Sequence, residues 1–312
     1  MVCYSFLAMP ELPDVALYVE ALERRILGRR LEGVRLKSLF LLRSAVPPLA
    51  AASGRTVTGL ARLGKRIVLE LGPGPRAGEP ARLYLLLHLM IAGRLHWKER
   101  GAALPRRTDL AAFDFEDGTL VLTEAGTKKR ASLFVVADEA GLAAHDRGGL
   151  EPLVCEFAAF EERLRGSRHT LKRALCDPRL FSGIGNAYSD EILHRAKLSP
   201  LQLARNLEPA ETARLFDAVR ATLNDWIERL RAETGDGFPA KVTAFRPGMA
   251  VHGRFGQPCP VCNAPIQRIV RAENEVNYCP RCQTGGKILK DRALSVLLKD
   301  DWPSTLEELE ER

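Results

Sequence analysis

Gly141-Leu142-Ala143-Ala144-His145-Asp146-Arg147-Gly148-Gly149 is the stretch at which this chain changes its hydrophobic period. Asp146, Gly148 and Gly149 mark a hinge. On its N-terminal side the apolar residues gather in short strand-like runs. Arg66–Leu71, Leu83–Leu89, Ala112–Phe115 and Thr119–Leu122 are expected strands, with Glu116-Asp117-Gly118 as a hairpin turn. Ala131–Ala137 supplies one more strand, and the Gly-, Pro- and Arg-rich segment 72–81 is a loop. Ahead of these strands, Val15, Leu17, Val19, Leu22 and Ile26 recur at helical spacing, predicting an amphipathic helix over Pro13–Leu27. On the C-terminal side, helices are expected at Phe157–Leu164, Leu171–Cys176, Ala187–Ala196 and Pro209–Ala232. A linker follows from Gly235 to Pro258, and after Cys282 come a basic stretch and a short acidic tail.

A chain of 312 residues can bury two cores. The formal net charge of +7 suits a polyanionic partner without identifying one. No segment reaches the roughly 18–20 apolar residues of a membrane span, and Met1–Met9 lacks the basic start of a secretory signal. The expectation is a cytoplasmic monomer with no membrane partner.

Four of the seven cysteines form two tight pairs. Cys259-Pro-Val-Cys262 and Cys279-Pro-Arg-Cys282 read C-x2-C-x16-C-x2-C. A two-residue gap turns both thiolates of a pair onto one ion, and two such knuckles make the closed sulfur shell of a structural zinc. One Zn²⁺ is therefore expected. The intervening residues suit a β-hairpin, with Ile266, Ile269 and Val270 in one arm, Val276 and Tyr278 in the other, and a polar tip at Glu273-Asn274. Cys3, Cys155 and Cys176 stand singly, which is no disulfide framework.

Three further segments carry a family likeness. Met9-Pro-Glu-Leu-Pro-Asp-Val15, His88-Leu-Met-Ile-Ala-Gly-Arg94 and Gly183-Ile-Gly-Asn-Ala-Tyr-Ser-Asp-Glu191, with the finger closing at Cys282-Gln283, stand in the order found in formamidopyrimidine-DNA glycosylases and endonuclease VIII. The chain resembles that family from about Met9 to Gln283. The resemblance implies an α+β architecture: an N-terminal β-sandwich with flanking helices, a helix–two-turn–helix domain, and a zinc-finger β-hairpin, with DNA in the cleft between. It places domain bounds near 9–140, 150–250, 251–290 and 291–312. It implies a repair enzyme that excises damaged bases from double- or single-stranded DNA and nicks the abasic site. In that reading Pro10 is the amine nucleophile, Glu11 the adjacent acid/base, and Lys65 a phosphate-contacting lysine near the lesion. Ile91, Arg94, Asn186, Arg271 and Asn274 fall at DNA-contacting positions. Tyr188, Asp190 and Glu191 are expected to pack and cap their helix.

Four positions depart from the pattern. Asp14 stands for a glutamate. Ile91, with Met90 beside it, occupies the place of a methionine wedge. The segment Glu124-Ala-Gly-Thr-Lys-Lys-Arg-Ala131 replaces one carrying an arginine and a phenylalanine wedge, and Asn274 replaces a finger arginine. A preference for 8-oxoguanine is accordingly not supported, and a weak or inactive binder of damaged DNA, or a zinc-ribbon interaction protein, stays open at this point. Residues 1–8 would acylate Pro10, and an amide nitrogen cannot form an iminium. The working chain is therefore expected to begin at Pro10.

Overall fold

The computed structural model describes residues 9–75, 80–126, 128–240, 242–243, 245–271, 274–290 and 303–310. Residues 1–8 with Cys3, the middle of the 72–81 loop, Glu273 at the hairpin tip and the basic stretch after residue 290 lie outside the described residues.

Helix α1 spans Leu12–Ile26, with Pro13 in the first turn where its missing N–H costs nothing. Asp14 caps that turn, its Oδ2 accepting the Glu11 backbone N–H at 3.0 Å. Here the shorter acid has a local job that explains its burial. Val15, Tyr18, Leu22 and Ile26 form the buried stripe.

Eight strands follow: β1 (Leu31–Leu36), β2 (Val57–Leu63), β3 (Arg66–Leu71), β4 (Leu83–His88), β5 (Gly93–Lys98), β6 (Asp109–Phe115), β7 (Gly118–Glu124) and β8 (Ser132–Val136). They make two antiparallel sheets ordered β1-β6-β7-β5 and β2-β3-β4-β8. Ile67, Leu69 and Leu71 of β3 and Leu83, Leu85 and Leu87 of β4 share one core with Leu95, Phe113, Phe115, Leu120, Leu122 and the α1 stripe. The alternate residues Val68, Tyr84, Leu86 and Val136 make a second cluster on the opposite face, with Leu142 of helix α2 (Glu139–Ala143) against it. Burial on both faces is why β4 reads as an unbroken apolar run. Arg55, fully buried, ties the loops together by donating to the carbonyls of Ala51, Gly72 and Pro80 at 2.7–2.8 Å.

The helical half contains α3 (Phe157–Arg165), α4 (Leu171–Cys176), α5 (Asn186–Ala196) and α6 (Pro209–Thr234). A hairpin of β9 (Gln267–Arg271) and β10 (Asn274–Tyr278) is followed by α7 (Pro280–Thr284) and α8 (Leu306–Glu310). Two compact units result, one of Met1–Arg147 with Trp226–Thr243, the other of Gly148–Asp225 with Ala244–Arg312. The first unit thus takes the end of α6, where Arg231 pairs with Glu20 of α1 at 2.6 Å and Phe238 packs on Tyr18. The stretch read from sequence only as an acidic tail folds onto the finger: Leu306 is buried among Val251, Cys259, Ala264, Ile266 and Cys279. No helix among the described residues is long and apolar enough to cross a membrane.

The turn from β4 to β5 is unusually tight. Gly93 N–H bonds to the Leu89 carbonyl at 2.9 Å, and a Cβ on Gly93 would stand 2.2 Å from that oxygen. The loop is braced by Arg94, whose Nη1 donates to the carbonyls of Ile91 at 3.1 Å and Gly93 at 2.6 Å. Inside it Met90 holds φ +52, a left-handed conformation that a side chain disfavours by roughly 1–2 kcal/mol. Relief of that strain should offset part of the lost packing in Met90→Gly. Urea unfolding should therefore show Met90→Gly within about 1 kcal/mol of wild type, while Leu89→Ala, next to it and buried, costs about 3 kcal/mol. Equal losses at the two positions would contradict the strain.

Candidate metal centre and nucleic-acid interface

The four paired cysteines converge. Their sulfur atoms all lie within 4.8 Å of one another, with Cys262 and Cys279 3.3 Å apart and Cys259 and Cys282 3.9 Å apart. Four sulfurs at about 2.3 Å from a central ion stand about 3.8 Å apart in a tetrahedron, so the cluster fits zinc. Burial pushes the Cys282 thiol up to about 12 and raises Cys279, whereas at Cys262 burial is outweighed by hydrogen bonds from the Ala264 backbone and the neighbouring sulfurs, which lower it. A bound cation would favour the thiolate form throughout. Each knuckle turns a backbone N–H onto its first sulfur, from Val261 to Cys259 at 3.5 Å and from Cys282 to Cys279 at 3.4 Å. Gln283 locks the second knuckle, accepting Cys279 N–H at 2.8 Å and donating to the Leu198 carbonyl at 2.9 Å.

The Gly-Ile-Gly-Asn segment enters α5 as the sequence suggests. Gly183 takes φ +79, Gly185 is the N-cap, and Asn186 is the first helical residue. The side-chain amide of Asn186 donates to the Glu275 carbonyl of β10 at 3.0 Å, which joins the helix start to the finger hairpin. Arg271 and Asn274 are register partners at the hairpin end, and their side chains lie outside the described residues.

Asp190 and Glu191 do pack rather than face solvent. Glu191 accepts the backbone N–H groups of Ala250, Val251 and His252 at 2.6–2.9 Å. Asp190 is bonded to Lys172 at 2.5 Å, to His252 Nδ1 at 2.8 Å, and to the Asn277 backbone and side chain at 3.2 and 3.3 Å. Lys172 also donates to the Asn186 carbonyl at 2.5 Å. Lys172, His252 and Asn277 were not signalled by any motif, since each is one polar residue in an unremarkable local pattern.

In the other unit Pro10 and Glu11 are both buried at the head of α1. Lys65 lies in the two-residue turn between β2 and β3, beside left-handed Gly64 at φ +62. Across the ladder Arg66 is paired with His88. Burial, and then the charges of Arg66 and Lys65, push His88 down to about 4. This corner is therefore cationic at neutral pH through its lysine and arginine, with His88 neutral. Glu124 folds the loop that carries no wedge residue, accepting the Arg130 N–H at 2.8 Å and the Ala131 N–H at 3.2 Å.

Purified protein should contain about one zinc per chain, lost in Cys262→Ser/Cys279→Ser. Far-UV circular dichroism should then retain most helical signal, because the finger is a small part of the second unit. A metal-free native protein would refute the assignment.

Comparison with known proteins agrees over most of the chain. Residues 9–129 match the formamidopyrimidine-DNA glycosylase N-terminal domain, residues 149–235 the H2TH domain of the same enzymes, and residues 256–285 the zinc finger found in FPG and IleRS. A formamidopyrimidine-DNA glycosylase of Heliobacterium modesticaldum is 32% identical over 88% of this chain and 100% of its own length. One from Thermus thermophilus is 33% identical over 89% and 100%. An uncharacterized formamidopyrimidine-DNA glycosylase-like protein of Mycobacterium tuberculosis is 43% identical over 44% of this chain and 84% of its own. Among solved structures, the Lactococcus lactis enzyme bound to Fapy-dG-containing DNA is similar with a TM-score of 0.75 and 26% identity, covering 88% of this chain and 100% of that one. The chain belongs to the formamidopyrimidine-DNA glycosylase family.

Proposed function

We propose that this chain is a DNA-repair glycosylase and abasic-site lyase whose nucleophile is the amine of Pro10. One observation carries the reading: Pro10-Glu11 stands directly ahead of α1 in a chain spanning the full length of formamidopyrimidine-DNA glycosylases. An α-amino group, with a reference pKa of about 7.7–8.0, is substantially free base near neutral pH, where lysine is not. Attack on C1′ of a flipped-out nucleotide expels the base, with Glu11 as proton donor. Loss of the N–H proton and cleavage of the C1′–O4′ bond, with O4′ taking up a proton, turn the adduct into an iminium; this acidifies C2′, and removal of a C2′ proton expels the 3′ phosphate. In this reading Lys65 and Asn186 contact phosphates, and Ile91 with Met90, Arg94, Arg271 and Asn274 are the further DNA-contacting positions, as the family resemblance implies. The structural zinc holds the finger and takes no part in bond making. The protein works with DNA in the cytoplasm, as a monomer.

The chemistry requires a free Pro10 nitrogen. Borohydride trapping on abasic DNA should give a covalent adduct only from protein processed to Pro10, and none from a chain that retains residues 1–9. Mass spectrometry of both N-termini would accompany it. An equal adduct from the longer chain would assign the nucleophile to another amine.

Phosphate contacts should appear in the salt dependence. Lys65→Ala should weaken binding to all sequences and reduce the salt slope by about one. Asn186→Ala should weaken binding with the slope unchanged, because an amide displaces no counterion. An unchanged affinity in Lys65→Ala would make that lysine a solvated surface charge.

A further inference from the structure

Helix α5 carries three polar residues at four-residue spacing, Asn186, Asp190 and His194, so they share one face of the helix. All three reach the finger and the strand of chain that leads into it. Asn186 donates to the Glu275 carbonyl, Asp190 takes Asn277 and His252, and the Nε2 of His194 lies 3.3 Å from the sulfur of Cys259. His194 is 6% exposed and Cys259 is 2% exposed, so water does not compete for the contact. A metal-bound thiolate can only accept a hydrogen bond, which fixes the imidazole proton on Nε2.

We infer that His194 is a positioning residue for the zinc site: its Nε2–H donates to the Cys259 thiolate, orients that sulfur and retains the metal. The donated hydrogen bond withdraws charge from one of four thiolates crowded on a single dication, which lessens their mutual repulsion. It also fixes the Cys259 side chain on the first knuckle, as Gln283 fixes the second from the Leu198 carbonyl just beyond the same helix. The finger is therefore held to α5 at each knuckle, and metal loading and the position of α5 are linked. The donor lies 65 residues before its acceptor, so the C-x2-C spacing gives no sign of it. This inference concerns metal retention and is independent of the lyase chemistry.

The test uses the full zinc-loaded chain. Long-range ¹H–¹⁵N spectra of wild-type protein labelled at histidine should show His194 as the Nε2–H tautomer. In a chelator challenge His194→Phe should lose zinc at least tenfold faster than wild type, in the range seen when partners of metal ligands are removed. His194→Gln, whose amide can donate from a similar reach, should lie between the two. In cobalt-substituted protein His194→Phe should move the thiolate-to-metal charge-transfer band to lower energy, a change that packing alone would not produce. Wild-type release rates and an unmoved band in a folded His194→Phe would overturn the inference. Should the phenylalanine variant fail to fold, an Nδ1–H tautomer in the wild type, which leaves Nε2 with no proton to donate to the thiolate, would overturn it instead.

Discussion

A carboxylate shut away from water must be neutralised, and much of the second unit is arranged around doing so for Asp190. Burial works to raise its pKa, but the Lys172 charge and the His252 hydrogen bond outweigh this and hold it below the ordinary value. Removing one partner of such a buried pair typically costs about 3–5 kcal/mol, because the other charge is stranded. The four donors come from α4, from the strap at residue 252 and from β10. These segments are far apart in sequence and become neighbours at one pair of oxygens. Its neighbour Glu191 shifts the other way: burial raises it, and only backbone N–H groups oppose that. Two adjacent acids thus do different structural work, one pairing with charge and one gathering a loop.

That arrangement fixes the geometry at the start of α5. Lys172 holds the Asn186 carbonyl while the Asn186 amide holds β10. The start of α5 and the finger hairpin are therefore held together as one assembly. Zinc fixes the far end of the same assembly. Such a site depends on rigid support around it, since a small misplacement forfeits much of the benefit of orientation.

The sequence exposed some parts of this and hid others for physical reasons. Strands β3, β4, β6 and β7 were legible because they lie inside their sheets and carry dense apolar residues. The strands that went unread, β1, β2 and β5, are all sheet edges with mostly half-exposed side chains. In β1 and β2 a glycine also marks a register shift, at Gly33 and Gly59, which breaks the alternation. The cysteine pairs and the Pro-Glu start could be read because their chemistry depends on local spacing. Lys172, His252, Asn277 and His194 could not, because each acts on a partner 14 to 87 residues away.

The departures from the family pattern also acquire a physical reading. The tight turn at Leu89–Gly93 keeps its backbone path although Met90 must be strained to follow it. Glycine would adopt that conformation without penalty, so the methionine is tolerated at a cost that folding alone does not require. The loop after Glu124 is likewise closed by its own carboxylate rather than by a wedge side chain packed beneath it. Ile91 and the segment after Glu124 fall in loops between strands, where a side chain can change without disturbing a core. At the head of α1, by contrast, little can change. Pro10 and Glu11 are buried directly ahead of that helix. Asp14 is already committed to the Glu11 backbone N–H. Glu11 in turn accepts the Asp14 backbone N–H, so the two acids cap the helix start reciprocally and neither can change without loosening the other.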